Sequence, residues 1–181
     1  MTDNTQLPRL TFVLGGARSG KSAYALALGE SALTADGGTR ELIFVATGEA
    51  GDDEMALRIA RHQADRGAHW RTLEAPLELS GALRDADGPG RVIVVDCLSL
   101  WLSNLIHAEC DADHACTLLL QTLANCSGAV ILISNEVGLG IVPDNALARA
   151  FRDKAGRMHQ RIAAQADRVA LIVAGLALPL K

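Results

Sequence analysis

Short apolar runs alternate along the chain with longer stretches of helical periodicity. LTFVL at Leu10–Leu14, ELIFVA at Glu41–Ala46, RVIVV at Arg91–Val95, AVILIS at Ala129–Ser134 and RVALIVA at Arg168–Ala174 are β-branched and apolar at successive rather than alternate positions. That is the pattern of strands covered on both faces. A shorter run, His69–Leu73, adds a candidate strand, and Leu176–Leu180 can pair beyond Gly175 as an edge, where Pro179 is tolerated. Helices are predicted from Gly20 to about Leu33, Asp52 to about Arg66, Leu77 to Asp85, Leu98 to His107, Asp113 to Cys126 and Asp144 to about Ala166. Strand and helix alternating over the whole length predict one α/β domain, residues 1–181, with a mostly parallel sheet between helices.

Composition narrows the partners. The chain has 181 residues, 49% hydrophobic and 21% charged, which suits one globular domain and excludes a disordered chain. Its 17 Lys and Arg are scattered and outnumbered by 21 Asp and Glu, so nucleic acid is not an expected partner. The longest apolar stretch, Val169 to Leu180, contains Pro179 and falls short of the roughly 20 residues that cross a bilayer. The polar start, Met1 to Arg9, lacks a signal-peptide pattern, so a cytoplasmic location is expected. None of the four cysteines is spaced C-x-x-C, in keeping with a reducing compartment. Cys110, His114 and Cys116, with Asp111 and Asp113 among them, lack the paired short spacings of a zinc site. They are expected to form a polar loop leading into a helix that buries Cys116.

Candidate chemistry begins directly after the first strand. Gly15-Gly16-Ala17-Arg18-Ser19-Gly20-Lys21-Ser22 satisfies G-x-x-x-x-G-K-[ST] between a strand and a helix, the context the motif requires. The glycines let backbone N–H groups wrap phosphates, and the helix adds its positive end. Lys21 is placed to reach β- and γ-phosphates, and the Ser22 hydroxyl to ligate Mg²⁺. A second metal anchor is expected at the end of an apolar strand beside the loop, and Val92-Ile93-Val94-Val95-Asp96 supplies it. The alternative for Asp96 is a cap on the following helix.

The chain has no N-K-x-D pair, and Asp96 is followed by Cys97, Leu98 and Ser99, so a switch GTPase is a poor match. In the predicted second helix, four-residue spacing puts Arg58, His62 and Arg66 on one face. Two guanidinium groups beside an imidazole disfavour its protonation and can hold a polyphosphate against it, an arrangement suited to attack on phosphorus. The same spacing also fits an exposed charged face with Glu54 pairing Arg58. After the strand ending at Ser134 comes a polar, glycine-rich segment, Asn135 to Pro143, at the ligand-binding end of the sheet. Glu136 there is a candidate to touch substrate, metal or an attacking hydroxyl, or else to hold its own turn. Arg149, Arg152 and Arg157 are candidates to neutralise a transferring phosphate but read mostly as a salt-bridged helical surface, and His69 and His159 as structural.

Four blocks then carry a family resemblance: GGARSGKS; AT followed by DDEMALRIARHQADRGAHWRTLEAP; VDCLSLWLSNLI; and SNEVGLGIVPDNALARAFRDKAGRMHQRIAAQAD. In this order and spacing they closely resemble the bifunctional adenosylcobinamide kinase / adenosylcobinamide-phosphate guanylyltransferase family, from about Leu10 to the C-terminus. The resemblance implies a P-loop NTPase fold with RecA-like sheet order, a homotrimer, and two activities. One phosphorylates adenosylcobinamide with ATP or GTP. The other passes GMP from GTP through a guanylyl-histidine to adenosylcobinamide phosphate, giving adenosylcobinamide-GDP and pyrophosphate. By its position in R-I-x-x-H-x-x-x-R, His62 matches the guanylylated histidine. Thr47, Gly48, Glu49, Gln63, Ala64, Asp65, Arg66 and Glu74 match nucleotide-contacting positions, and Asp96 an acidic one. Two other readings share the phosphate loop: a P-loop small-molecule kinase without guanylyl transfer, with His62 structural, and a nucleotide-binding regulator without transfer chemistry.

Overall fold

The computed structural model describes residues 7–48, 67 and 69–181. Seven strands form one sheet: β1 (Leu10–Gly15), β2 (Glu41–Ala46), β3 (Trp70–Glu74), β4 (Arg91–Asp96), β5 (Ala129–Asn135), β6 (Arg168–Val173) and β7 (Leu176–Pro179). Their order across the sheet is β3-β2-β4-β5-β1-β6-β7. Every pairing is parallel except β6 with β7, a hairpin closed at Ala174 and Gly175. The helices are α1 (Lys21–Ala35), α2 (Leu79–Ala86), α3 (Leu98–His107), α4 (Ala112–Asn125) and α5 (Ala146–Gln165). The helix predicted from Asp52 to Arg66 lies outside the described residues.

The unalternating apolar runs are explained by two cores, one on each face of the sheet. Successive residues of one strand point to opposite sides. Thus Ile43, Val45, Ile93, Val95, Val130 and Leu132 meet α2, α3, α4 and α5 through Leu83, Trp101, Leu119 and Ile162. Leu42, Phe44, Val92, Val94, Ile131 and Ile133 share the other core with Ala25 and Ala32 of α1. Small residues bring α1 close to the sheet: a Cβ on Gly29 would lie 2.7 Å from the Trp70 ring. Trp101, 1% exposed, donates its indole N–H to the carbonyl of Leu77 at 2.8 Å, so its polar atom is satisfied within the core.

Four strands run one residue beyond their predicted ends. β1, β3, β4 and β5 end at Gly15, Glu74, Asp96 and Asn135 because the backbone ladder continues after the side chains cease to be apolar. Those extra residues all lie at the carboxyl end of the sheet. Cys110, His114 and Cys116 behave as expected of a loop and helix: Asp111 caps α4 by accepting from the amides of Asp113 and His114, and Cys116 is buried. Among the described residues no three or more His, Cys, Asp or Glu side chains are grouped to hold a metal ion.

Candidate functional site

Between β1 and α1 the chain makes the turn that the glycine-rich motif requires. Gly15 has no room for a side chain, since a Cβ would stand 2.6 Å from both the Ile172 carbonyl oxygen and Ser19 Oγ. Arg18 and Gly20 take left-handed conformations, with φ of 54° and 97°. Gly20 precedes α1 with no side-chain cap, and the first turn of the helix carries no acidic residue. The helix therefore begins with amides that no side chain caps, beside a partial positive charge, which is the receptor an anion needs. Lys21 is buried and folds back over the loop, donating from Nζ to the Gly16 carbonyl at 2.7 Å. The Ser19 hydroxyl is enclosed in the turn with no hydrogen-bond partner among the described residues. A phosphate oxygen accepting from Ser19 would satisfy that hydroxyl, with the Lys21 ammonium beside it to balance the charge.

The expected metal anchor is joined to this loop. Ser22, in the first turn of α1, donates its hydroxyl to Asp96 Oδ2 at 2.6 Å. β5 lies between β1 and β4, so Asp96 is one strand further from the loop than a neighbouring-strand reading places it, and α1 brings Ser22 across the gap. Asp96 does not cap α3, whose N-cap is Cys97 with no side-chain hydrogen bond. Two hard oxygens side by side, without a dedicated cage, suit Mg²⁺, which takes one or two protein ligands and completes its shell with phosphate and water. The donor set therefore fits the metal that the phosphate loop implies.

Around this pair the carboxyl ends of the strands are tied together. Thr47 is 0% exposed, and its hydroxyl accepts from the Cys97 amide at 2.8 Å and donates to the Cys97 carbonyl at 2.7 Å. Asn104 donates to the Thr47 carbonyl at 2.8 Å and to the Pro76 carbonyl at 3.1 Å. Ser99 accepts from the Asn135 amide at 3.1 Å and contacts Cys97 Sγ at 3.1 Å. The Cys97 thiol is pushed up in pKa by burial and by the charge of Asp96, so it stays protonated and unreactive. These ties are not evident in the motif pattern; their only sequence signal is a polar residue directly after each apolar strand.

Glu136 adjoins the loop through its backbone, donating its amide to the Gly15 carbonyl at 3.0 Å. Its carboxylate accepts from the amides of Gly138 and Leu139 at 2.6 and 3.2 Å, which is the turn-holding one of its two expected roles. His159 shares a 2.8 Å hydrogen bond with Ser134 and packs on Phe12, and burial lowers its pKa to about 4 despite the opposing charge of Glu136. Arg149 holds the carbonyls of Pro143 and Asp144. Exposed His69 lies 3.5 Å from Glu30.

The structure thus assembles Gly15, Gly16, Ala17, Arg18, Ser19, Gly20, Lys21 and Ser22 with Asp96. Thr47 and Gly48 follow β2 at the same end of the sheet, and Glu74 ends β3 opposite Ala46. Glu49, His62, Gln63, Ala64, Asp65 and Arg66 lie outside the described residues.

Comparison with known proteins agrees with this geometry. Solved structures with the same fold include an ATPase domain, with TM-score 0.51 and 13% identity over 91% of this chain and 69% of that one. Another is the flagellar accessory protein FlaH of Methanocaldococcus jannaschii, with TM-score 0.52 and 16% identity over 97% of this chain and 80% of that one. Among relatives, the bifunctional adenosylcobalamin biosynthesis protein CobP of Pseudomonas aeruginosa is 49% identical, covering 93% of this chain and 95% of its own. The bifunctional adenosylcobalamin biosynthesis protein CobU of Salmonella typhimurium is 38% identical, covering 95% of this chain and 99% of its own. The family model for cobinamide kinase / cobinamide phosphate guanyltransferase matches residues 11–180. With a family match over residues 11–180 and relatives 49% and 38% identical over nearly their whole length, the chain belongs to the cobinamide kinase / cobinamide phosphate guanyltransferase family.

Proposed function

We propose that this chain carries out both reactions of its family at one triphosphate cradle. The observation that carries the reading is the contact of Ser22 with Asp96 beside a loop whose amides, Lys21 and Ser19 are arranged for a polyphosphate. In the first reaction the aminopropanol hydroxyl of adenosylcobinamide bonds to the γ-phosphorus of ATP or GTP. The bond to the β–γ bridging oxygen breaks, nucleoside diphosphate leaves and the hydroxyl proton is released. Lys21 and the loop amides balance the charge that develops on the departing diphosphate. Ser22 and Asp96 would hold Mg²⁺, which when bound would supply neutralisation of the triphosphate charge.

In the second reaction an unprotonated ring nitrogen of His62 bonds to the α-phosphorus of GTP and pyrophosphate leaves. A phosphate oxygen of adenosylcobinamide phosphate then displaces the imidazole, giving adenosylcobinamide-GDP and freeing the histidine. Support for His62 comes from its place in R-I-x-x-H-x-x-x-R and from flanking Arg58 and Arg66 at helical spacing. Gly48, Glu49, Gln63, Ala64, Asp65, Arg66 and Glu74 belong to the nucleotide site in this reading, and Thr47 adjoins it with its hydroxyl turned to Cys97.

A cytoplasmic homotrimer is the assembly we infer. The exposed apolar side chains of Leu139, Ile141, Leu176 and Leu178 give it surface to bury, and no helix among the described residues is long and apolar enough to cross a membrane. The test of the two activities is to supply adenosylcobinamide with GTP and follow the corrinoid products. Adenosylcobinamide phosphate followed by adenosylcobinamide-GDP and pyrophosphate is the expected sequence. A kinase alone stops at the first product, and a regulator yields neither.

A further inference from the structure

We propose that Thr47, together with Ser99, is a positioning residue that sets the Asp96 carboxylate for its metal by fixing the turn after β4, and that the Thr47 hydroxyl does not itself contact nucleotide. The proposal rests on the reading of Asp96 as the metal anchor.

β2 and β4 pair in parallel up to Ala46 opposite Asp96, which brings Thr47 and Cys97 together where the ladder ends. The Thr47 amide donates to the Asp96 carbonyl at 3.2 Å. Its hydroxyl then takes both the amide and the carbonyl of Cys97, at 2.8 and 2.7 Å. One hydroxyl thus does for the Cys97 peptide groups what a further ladder residue would do, and, fully buried with its single proton already given to the Cys97 carbonyl, it has no proton to donate to a phosphate. Asn104 closes the clip by donating to the Thr47 carbonyl at 2.8 Å.

From the β5 side, Ser99 accepts the Asn135 amide at 3.1 Å, and Thr47 and Ser99 are both buried. The backbone on the C-terminal side of Asp96 is therefore held from both neighbouring strands, while its carboxylate meets Ser22 at 2.6 Å. A metal anchor must be kept within about 0.5 Å of its working position by groups whose own rotamers are locked. Partners of that kind around a metal ligand are worth roughly 10–100-fold in metal affinity.

The experiment measures equilibrium binding of a non-hydrolysable GTP analogue with and without Mg²⁺, and Mn²⁺ binding to the analogue complex by electron paramagnetic resonance. Thr47→Val keeps the shape and removes the hydroxyl; it is expected to weaken metal binding about tenfold while metal-free affinity for the analogue stays within about twofold. Thr47→Ser restores the hydroxyl and the metal affinity. Wild-type metal affinity in Thr47→Val, or an equal loss of metal-free nucleotide affinity, overturns the proposal. If Thr47→Val does not fold, Ser99→Ala decides: weakened metal binding supports the clip and wild-type metal binding overturns it. Asp96→Ala separates the two levels. Should it bind metal as the wild type does, the anchor reading falls and the proposal with it; should it lose metal while Thr47→Val does not, only the proposal falls.

Discussion

The amide of Gly175 donates to the carbonyl of Ser19 at 2.8 Å, so the turn of the last hairpin braces the middle of the phosphate loop. The fit is close, since a Cβ on Gly20 would lie 3.2 Å from Gly175 Cα. Gly175 itself has φ of 79°, a conformation that costs a residue with a side chain about 1–2 kcal/mol. Gly175→Val is therefore expected to lower the unfolding temperature and to raise the KM for nucleotide in both reactions. A lowered unfolding temperature with unchanged KM would leave the brace without a role in binding.

Lys21 folds back over its own turn, where both proposed reactions would place a triphosphate. Lys21→Ala is predicted to reduce kinase and guanylyltransferase rates alike, by on the order of 100-fold or more. The measurement is steady-state turnover of each half-reaction with its own corrinoid substrate. Retention of kinase activity by this variant would mean that the cradle is not shared.

His159 makes a prediction about pH. Burial holds its pKa near 4 in the folded protein, against an ordinary value of 6.5, so the folded state keeps the ring neutral. The stability that depends on this is fully present above about pH 6.5 and declines as pH falls toward 4, because the unfolded chain takes up the proton first. The loss approaches about 3 kcal/mol at the acid end. Denaturant unfolding at pH 7 and pH 5 should show the decline in the wild type, and His159→Gln should flatten it. An equally steep decline in the variant would refute the assignment.

Asp87 ties the end of α2 to the start of β5. Burial alone would raise its pKa, but hydrogen bonds from the amides of Gly128 and Ser127 and from the Ser127 hydroxyl outweigh this and lower it. Its stabilising effect is thus present above the ordinary carboxylate value of 3.8 and is lost as pH falls through the lower folded value. Asp87→Ala, which strips these bonds from Ser127 and Gly128, is expected to cost about 1–3 kcal/mol at neutral pH. Unfolding by urea checks this, with an unchanged midpoint as the contrary result.

Much of this architecture is legible in the residue pattern because it is local. Runs such as RVIVV and AVILIS, short and β-branched, suit a strand buried on both faces, and G-x-x-x-x-G-K-S directly after LTFVL fixes the turn, the helix start and the lysine together. What the pattern does not carry is non-local. Nothing in the chain order says that β5 separates β1 from β4, that Thr47 closes on Cys97, or that Gly175 returns to Ser19, since each depends on strand order and register. Strand ends at Gly15, Asp96 and Asn135 escape the pattern for a related reason: the hydrogen-bonded ladder outlasts the apolar signal by one residue.

Guanylyl transfer in the proposed function runs covalently through His62. Incubating the protein with GTP labelled at the α-phosphate and then denaturing it should leave label on the chain that is labile to acid and stable to base, and His62→Asn should abolish it while kinase turnover persists. An unlabelled wild type, or label retained in the variant, would contradict the account.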